Sequence, residues 1–168
     1  ICIITNIYSK TSLKTNMKIF YIIILSFLVL FCNAQTNNLY KIRETYLSAS
    51  NSREKVEKLL QLCENDNINR PIILAYKTVA EMMLISYYYN PFKKLEIFNE
   101  KSKHLDLIIK NNINNLEIRF LRYCLQKKSP SFLGYNKELD IDYKFILTNI
   151  HNHPQETQDY IYSTIRSL

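Results

Sequence analysis

The chain of 168 residues contains a single glycine, Gly134. Average usage near 7% would give about twelve. Phosphate-binding loops, dinucleotide-binding turns, nucleophile elbows and glycine-rich β-architectures all need several glycines at fixed positions. One glycine is too few for any of these, so the function classes that depend on them are excluded. With no tryptophan and only four prolines, the composition favours a protein built from helices.

The spacing of the apolar residues predicts helices along most of the chain. Val56, Leu59, Leu60 and Cys63, for example, follow the i, i+3, i+4, i+7 spacing of one helical face. No stretch shows the sustained alternation of a strand. We therefore predict an all-α protein whose seven helices lie near residues 37–49, 52–65, 71–89, 91–111, 115–128, 137–151 and 154–167. The short connections favour antiparallel packing of consecutive helices as stacked hairpins.

Several local signals mark where these helices begin. Two patterns resemble capping boxes with Asn in place of Ser or Thr, Asn51-x-x-Glu54 and Asn114-x-x-Glu117. Glu117 is accordingly expected to be a cap and not a buried acid. Two pairs place proline at the first helical position, Asn90-Pro91 and His153-Pro154. The longest connection runs over residues 126–136, and we expect its Gly134 to adopt a left-handed conformation.

The segment that follows Met17 has the pattern of a secretory signal peptide. Lys18 precedes an apolar run over residues 19–31, and small residues lead up to Gln35. The run is shorter than the roughly 17–25 apolar residues that span a bilayer. We therefore expect an upstream segment over residues 1–16, a signal peptide over 17–34 cleaved after Ala34, and one helical domain over 35–168. Lipidation at Cys32 or an uncleaved anchor is the alternative.

Cleavage at that position would place the mature protein outside the cytoplasm, either in a periplasm or in the medium. The formal net charge of +7 includes three lysines within residues 1–34, where there is no acid. The remainder has 19 basic and 15 acidic residues, a mixed balance of +4 without the clustered patches of nucleic-acid binders. We predict no nucleic-acid partner, and contact with a membrane only through the leader.

Two parts of the chain resemble known kinds of protein. The predicted helices 71–89 and 91–111, followed by Asn111-Asn112-Ile113-Asn114-Asn115, resemble one tetratricopeptide-like unit over about residues 75–128. The sequence departs from that pattern in its bulky Tyr88, Tyr89 and Lys101, and in Ile113 where the closing proline is usual. Residues 117–122 and 130–135 are similar to small exported bacterial helical proteins of unknown function. These resemblances imply paired antiparallel helices and export, and they imply no activity.

The histidines and cysteines give little sign of metal or redox chemistry. His151-Asn152-His153 is the only histidine pair, and a zinc site needs three or four ligands. We therefore predict no metal site and no cofactor. Beyond the leader, Cys63 and Cys124 remain. Two buried free thiols are the favoured interpretation, with a disulfide between them as the alternative in an oxidising compartment.

Six residues are candidates for binding a partner. Arg119 and Arg122 share one helical face, which is either solvated or able to hold an anion or a partner peptide. Tyr88 and Tyr89 belong to an aromatic cluster that either packs at a helical turn or contacts a partner. Phe132 and Tyr135 lie in an apolar loop that either folds back onto the core or contacts a partner.

These observations favour an exported, non-catalytic helical protein that binds an unidentified protein or peptide. A small extracytoplasmic hydrolase-type enzyme, with a site that forms no recognisable motif, is one alternative. A structural protein of the cell envelope or membrane surface is the other.

Overall fold

The computed structural model of this protein describes Phe20, residues 38–66 and residues 70–168. All the regular structure in these ranges is helical, either as helices or as single helical turns. No strand occurs in these ranges, and the prediction of an all-α protein is confirmed. The interpretations that concern residues 1–34 lie outside the described residues, Phe20 excepted. Across the ranges that are described, no helix is long and apolar enough to span a bilayer.

Within residues 38–66 and 70–168, seven helices follow one another at the predicted places. Helix α1 covers residues 38–48. The others are α2 (Arg53–Glu64), α3 (Pro71–Leu84), α4 (Pro91–Asn111), α5 (Leu116–Lys128), α6 (Leu139–Asn149) and α7 (Gln155–Arg166). Single turns of 3-10 helix occupy Ala49–Asn51, Ile85–Tyr87, Ser131–Leu133 and Ile150–Asn152. The third and sixth helices were predicted to end near residues 89 and 151. In the structure α3 ends at Leu84 and α6 ends at Asn149, and a 3-10 turn follows each of them.

The caps show that α2, α5 and α7 each start one residue later than predicted. The side chain of Ser52, one residue after the predicted cap, accepts the backbone N–H of Lys55 at the start of α2. Asn115, and not Asn114, accepts the N–H of Ile118 at the start of α5. Pro154 likewise occupies the cap position of α7 and not its first turn. At α4 the prediction is confirmed, since Asn90 caps the helix and Pro91 opens it.

Helices α3 and α5 form the centre of the compact unit over residues 40–168. Helix α3 packs against α2, α4 and α5, and α5 packs against α3, α6 and α7. Ten of the 13 residues of α5 are buried, which is typical of a helix enclosed on most sides. The polar side chains of α5 therefore need partners inside the fold.

The buried apolar side chains form two described clusters. The larger one includes Leu116 and Phe120 of α5, Ile146 of α6 and Ile161 of α7. The smaller one contains Met82, Ile85 and Phe98, and so joins the end of α3 to α4. All three residues of the smaller cluster line the cleft that is described next.

Candidate functional site

An open cleft of about 1040 Å³ lies where the ends of several helices meet. We call it the apolar cleft. Its walls come from the end of α1 and the turn after it, one residue of α2, the second half of α3 and the turn after it, the start of α4, the end of α5, the segment 129–133, and the end of α7 with the residue that caps it. Its volume is slightly above the usual range for ligand pockets, about 300–1,000 Å³. We take it as the candidate binding site.

The turn between α3 and α4 builds one wall of the apolar cleft. The 3-10 turn Ile85–Tyr87 ends α3, and the Asn90 cap and Pro91 start α4 immediately afterwards. This tight reversal places Met82 and Met83 of α3 opposite the first turns of α4. Phe92, at the start of α4, is 83% exposed and forms part of the rim.

The segment after α5 builds the opposite rim. Gly134 has φ +63°, so the predicted left-handed conformation is confirmed. Tyr135, the next residue, donates its hydroxyl to Asp106 Oδ1 at 3.1 Å and packs edge-on against the Phe98 ring at 5.6 Å. These contacts fix the end of the segment to α4. Phe132, in its middle, is left 84% exposed at the rim.

Two lysines are the charged side chains in the described lining of the apolar cleft, Lys94 of α4 and Lys128 of α5. Lys94 Nζ donates to the backbone carbonyl of Ser86 at 3.2 Å. Neither lysine forms an ion pair with a carboxylate in the described residues. The hydroxyls of Ser86 and Ser129 donate to carbonyls of their own segments. The lysine ammonium groups are therefore the lining's main polar groups for a ligand.

Cys124 also lines the cleft, and its side chain is buried. Burial raises the pKa of the Cys124 thiol to about 12, which keeps it protonated near neutral pH and poorly nucleophilic. Burial likewise raises the pKa of Cys63 in α2 to about 12. Both cysteines are free thiols in this structure and are not bridged to each other.

Arg119 and Arg122 lie away from the apolar cleft, in a buried ion-pair cluster. The expectation of a solvated face is wrong, because both side chains are buried. Arg119 Nε donates to Asp142 Oδ1 at 2.8 Å, and Arg122 Nε donates to Asp142 Oδ2 at 2.7 Å. Arg122 also pairs with Asp106 at 3.0 Å. The carboxylates that these arginines bind thus belong to the chain itself.

The fully buried Asp142 explains why the face that carries Arg119 and Arg122 is not solvated. It comes from α6, and its charge lets the arginine face of α5 pack inside the fold. Burial by itself lowers the pKa of the Arg122 guanidinium. The hydrogen bonding and the negative charge of Asp142 outweigh this effect, so the pKa is above its usual value. Arg119 is also stacked on the Phe145 ring at 4.0 Å. The cluster therefore fixes α6 to α5.

A second buried polar cluster surrounds Glu117, and the expectation that this residue serves only as a cap is wrong. Arg43 of α1 binds Glu117 through two parallel hydrogen bonds, of 2.8 and 2.6 Å. Tyr76 of α3 donates to Glu117 Oε1 at 2.6 Å. Since the single hydroxyl hydrogen of Tyr76 is used there, Tyr160 of α7 must donate to Tyr76 across their 2.8 Å contact. Glu117 thus connects four helices.

Both hydroxyls in this cluster stay protonated at neutral pH. Burial, followed by the nearby charge of Glu117, raises the pKa of Tyr76 and of Tyr160 well above the usual value. Tyr76 is fully buried and Tyr160 nearly so. Since a catalytic group must reach a substrate, we take this cluster as structural.

The four aromatic candidates lie in different environments. Tyr88 and Tyr89 are exposed and lie outside the lining of the apolar cleft. The expectation of packing at the turn is wrong for Tyr89, because its side chain is fully exposed. Phe132 belongs to the cleft. Tyr135 is partly buried and supports the cleft from below. The apolar loop therefore folds back only in part, through Leu133 and Tyr135.

The sequence reasoning missed most of the cleft. Met82, Met83, Leu95 and the two lysines were not candidates, because each fits the pattern of an ordinary amphipathic helix. One signal was available: Met82 and Met83 are the only methionines after residue 17, and they are adjacent. Which helix faces come together to line a cleft depends on the assembled fold.

No group of three or more potential metal ligands occurs in the described ranges, which include His151 and His153. Comparison of the chain with protein-family models, with curated proteins and with solved structures found no match.

Proposed function

We propose that this chain is an exported, non-catalytic binding protein that holds an apolar segment of a partner protein or peptide in the apolar cleft. The observation that carries the proposal is the cleft itself, with a volume of about 1040 Å³ and two nearly fully exposed phenylalanines at its rim. Exposed apolar surface of this kind is typical of interaction sites. The signal-peptide pattern of residues 17–34 supports export.

The proposal includes an arrangement of stacked helical hairpins similar to tetratricopeptide-like units. Helices α2 and α3, α3 and α4, and α5 and α6 are consecutive pairs that pack against each other, which supports it. Repeats of this kind commonly present binding surfaces between their hairpins. The protonated Cys124 thiol in the lining suits a binding site better than a nucleophilic one.

Binding of the neutral, polarity-sensitive dye Nile red tests the proposal. We expect its fluorescence to rise on adding the mature protein, and Leu95→Gln to weaken dye binding. Leu95 lines the cleft and is 47% exposed, so its replacement removes apolar contact without emptying the core. Loss of about 1.5 kcal/mol of apolar burial corresponds to about ten-fold weaker binding.

Leu107→Gln is the matched control. Leu107 lies on the same helix, is 54% exposed and does not line the cleft. We expect dye binding by this variant to equal that of the unchanged protein. Equal dye affinities for the two variants, or no dye binding at all, would contradict the proposed role of the cleft.

A further inference from the structure

We infer that the partner segment is an acidic amphipathic helix, whose apolar face lies in the apolar cleft and whose carboxylates pair with Lys94 and Lys128. The inference rests on the proposed function, because it names the kind of segment that the cleft holds.

The apolar lining suits a helix. Phe92 and Phe132 come from different parts of the chain, the start of α4 and the segment after α5, and both extend the apolar surface beyond the cleft. An occupant that contacts both phenylalanines must present apolar groups over a continuous face, and an amphipathic helix presents such a face.

The two methionines give the lining the adaptability that helix-binding grooves use. Met82 is buried in the floor and Met83 is partly exposed beside it. Unbranched thioether side chains adjust their shape to different partners, and methionine is frequent in grooves that take amphipathic helices. Both methionines of the described chain contribute to this one surface.

The charges of the lining determine which amphipathic helix fits. Lys94 and Lys128 are positive, and no acid is present among the described lining residues. No carboxylate of the described chain forms an ion pair with either lysine. Acidic side chains at the edges of the bound helix would therefore be attracted, and basic ones repelled. Such complementarity contributes mainly to specificity.

Displacement of Nile red by three designed peptides tests the inference. The peptides share one apolar face of leucines at helical spacing and differ only at the flanking positions, which carry Glu, Gln or Lys. We expect the Glu peptide to displace the dye at the lowest concentration and the Lys peptide at the highest. Each exposed ion pair accounts for up to about five-fold in affinity, and the preference shrinks in 1 M salt.

Two double variants show whether these lysines cause the preference. Lys94→Gln with Lys128→Gln should abolish the preference for the Glu peptide over the Gln peptide, since both charges of the lining are then removed. The control replaces Lys110 and Lys127, which are exposed on the same two helices and lie outside the cleft lining. It should keep the full preference. Lys94→Glu with Lys128→Glu should reverse the order in favour of the Lys peptide.

The failures of the two proposals are distinguishable. Equal displacement by the three peptides, or the same preference in both Gln double variants, would overturn the acidic helix and leave the cleft as a binding site. Displacement by palmitate or a lysophospholipid but by none of the peptides would also overturn it, in favour of a lipid. If Leu95→Gln and Leu107→Gln bind the dye equally, the proposed function itself fails.

Discussion

Asp142 shows how one residue changes the interpretation of its neighbours. The helical wheel of α5 places Arg119 and Arg122 away from the apolar arc, and on that basis they face water. In the fold, a carboxylate that lies 23 positions after Arg119 and 20 after Arg122 meets both guanidiniums at 2.7–2.8 Å. Charge inside a protein is tolerated when it is paired and hydrogen-bonded. These arginines are therefore structural groups of the core.

The residue-scale prediction concerns the charge of Asp142. Asp142→Asn keeps the size of the side chain but leaves two buried guanidiniums without their shared countercharge. We expect the free energy of unfolding to fall by about 3–5 kcal/mol, as for other buried ion pairs that lose one partner. Urea unfolding followed by circular dichroism measures the change.

Asp140→Asn is the control for this prediction. Asp140 lies in the same first turn of α6 and is exposed, so its replacement should cost well under 1 kcal/mol. Equal losses of stability for the two variants would mean that the pairing seen for Asp142 contributes nothing specific.

Single residues decide how the helices begin. The sequence Asn114-Asn115 offers two asparagines in succession, and the capping-box pattern selects the first. The structure uses the second: Asn115 is in the extended conformation of a cap, and its side chain accepts the N–H of Ile118. Glu117, which a capping box would need, is occupied by Arg43 and Tyr76 instead. A tertiary contact thus overrides the local pattern.

The element-scale prediction separates these two asparagines. Asn115→Ala removes the side-chain acceptor at the start of α5, and we expect it to lower the free energy of unfolding by about 0.5–2 kcal/mol. Asn114→Ala should change it by less than about 0.5 kcal/mol, since Asn114 is exposed and makes no cap. Thermal unfolding of the two variants side by side checks the order, and a larger loss for Asn114→Ala would contradict the assigned cap.

At the scale of the whole molecule, the arrangement of the helices depends on what α5 buries. Helix α5 packs more extensively against α3 than against α4, its neighbour along the chain. The Glu117 cluster accompanies this packing, since it joins Arg43 of α1, Tyr76 of α3 and Tyr160 of α7 around one carboxylate. Because α5 lies at the centre, the end of α3, the start of α4 and the end of α5 lie close together and line the apolar cleft.

The whole-molecule prediction concerns alkaline pH. Cys63 and Cys124 ionise near pH 9 in the unfolded chain, whereas burial raises their pKa to about 12 in the fold. Between these values the unfolded state has released protons that the folded state keeps, so stability falls as the pH rises. Each cysteine lowers the free energy of unfolding by about 1.4 kcal/mol per pH unit above 9.

Urea unfolding at pH 8 and at pH 10 measures this decline. The variant with Cys63→Ala and Cys124→Ala should lose much less stability between the two pH values than the unchanged protein, whatever its stability at pH 8. The buried tyrosines add to the decline only above about pH 10, because their ordinary pKa is higher. The same decline in both proteins would show that the two thiols are not its source.

The sequence by itself determined the helices of this protein. Apolar spacing, prolines at helix starts and one glycine specify short-range geometry, because each depends on residues within a few positions of one another. Positions such as Asn90, Pro91 and Gly134 were predictable for that reason.

Only the tertiary structure decided which faces of these helices meet. The arginines of α5 are buried because they pair with Asp142 of α6. Glu117 is buried because it pairs with Arg43 of α1. Met82, Lys94 and the other cleft residues follow ordinary helical patterns, and they became a candidate site because the fold brings them together as the lining of one cleft. Burial depends on distant parts of the chain coming together, and no local pattern contains that information.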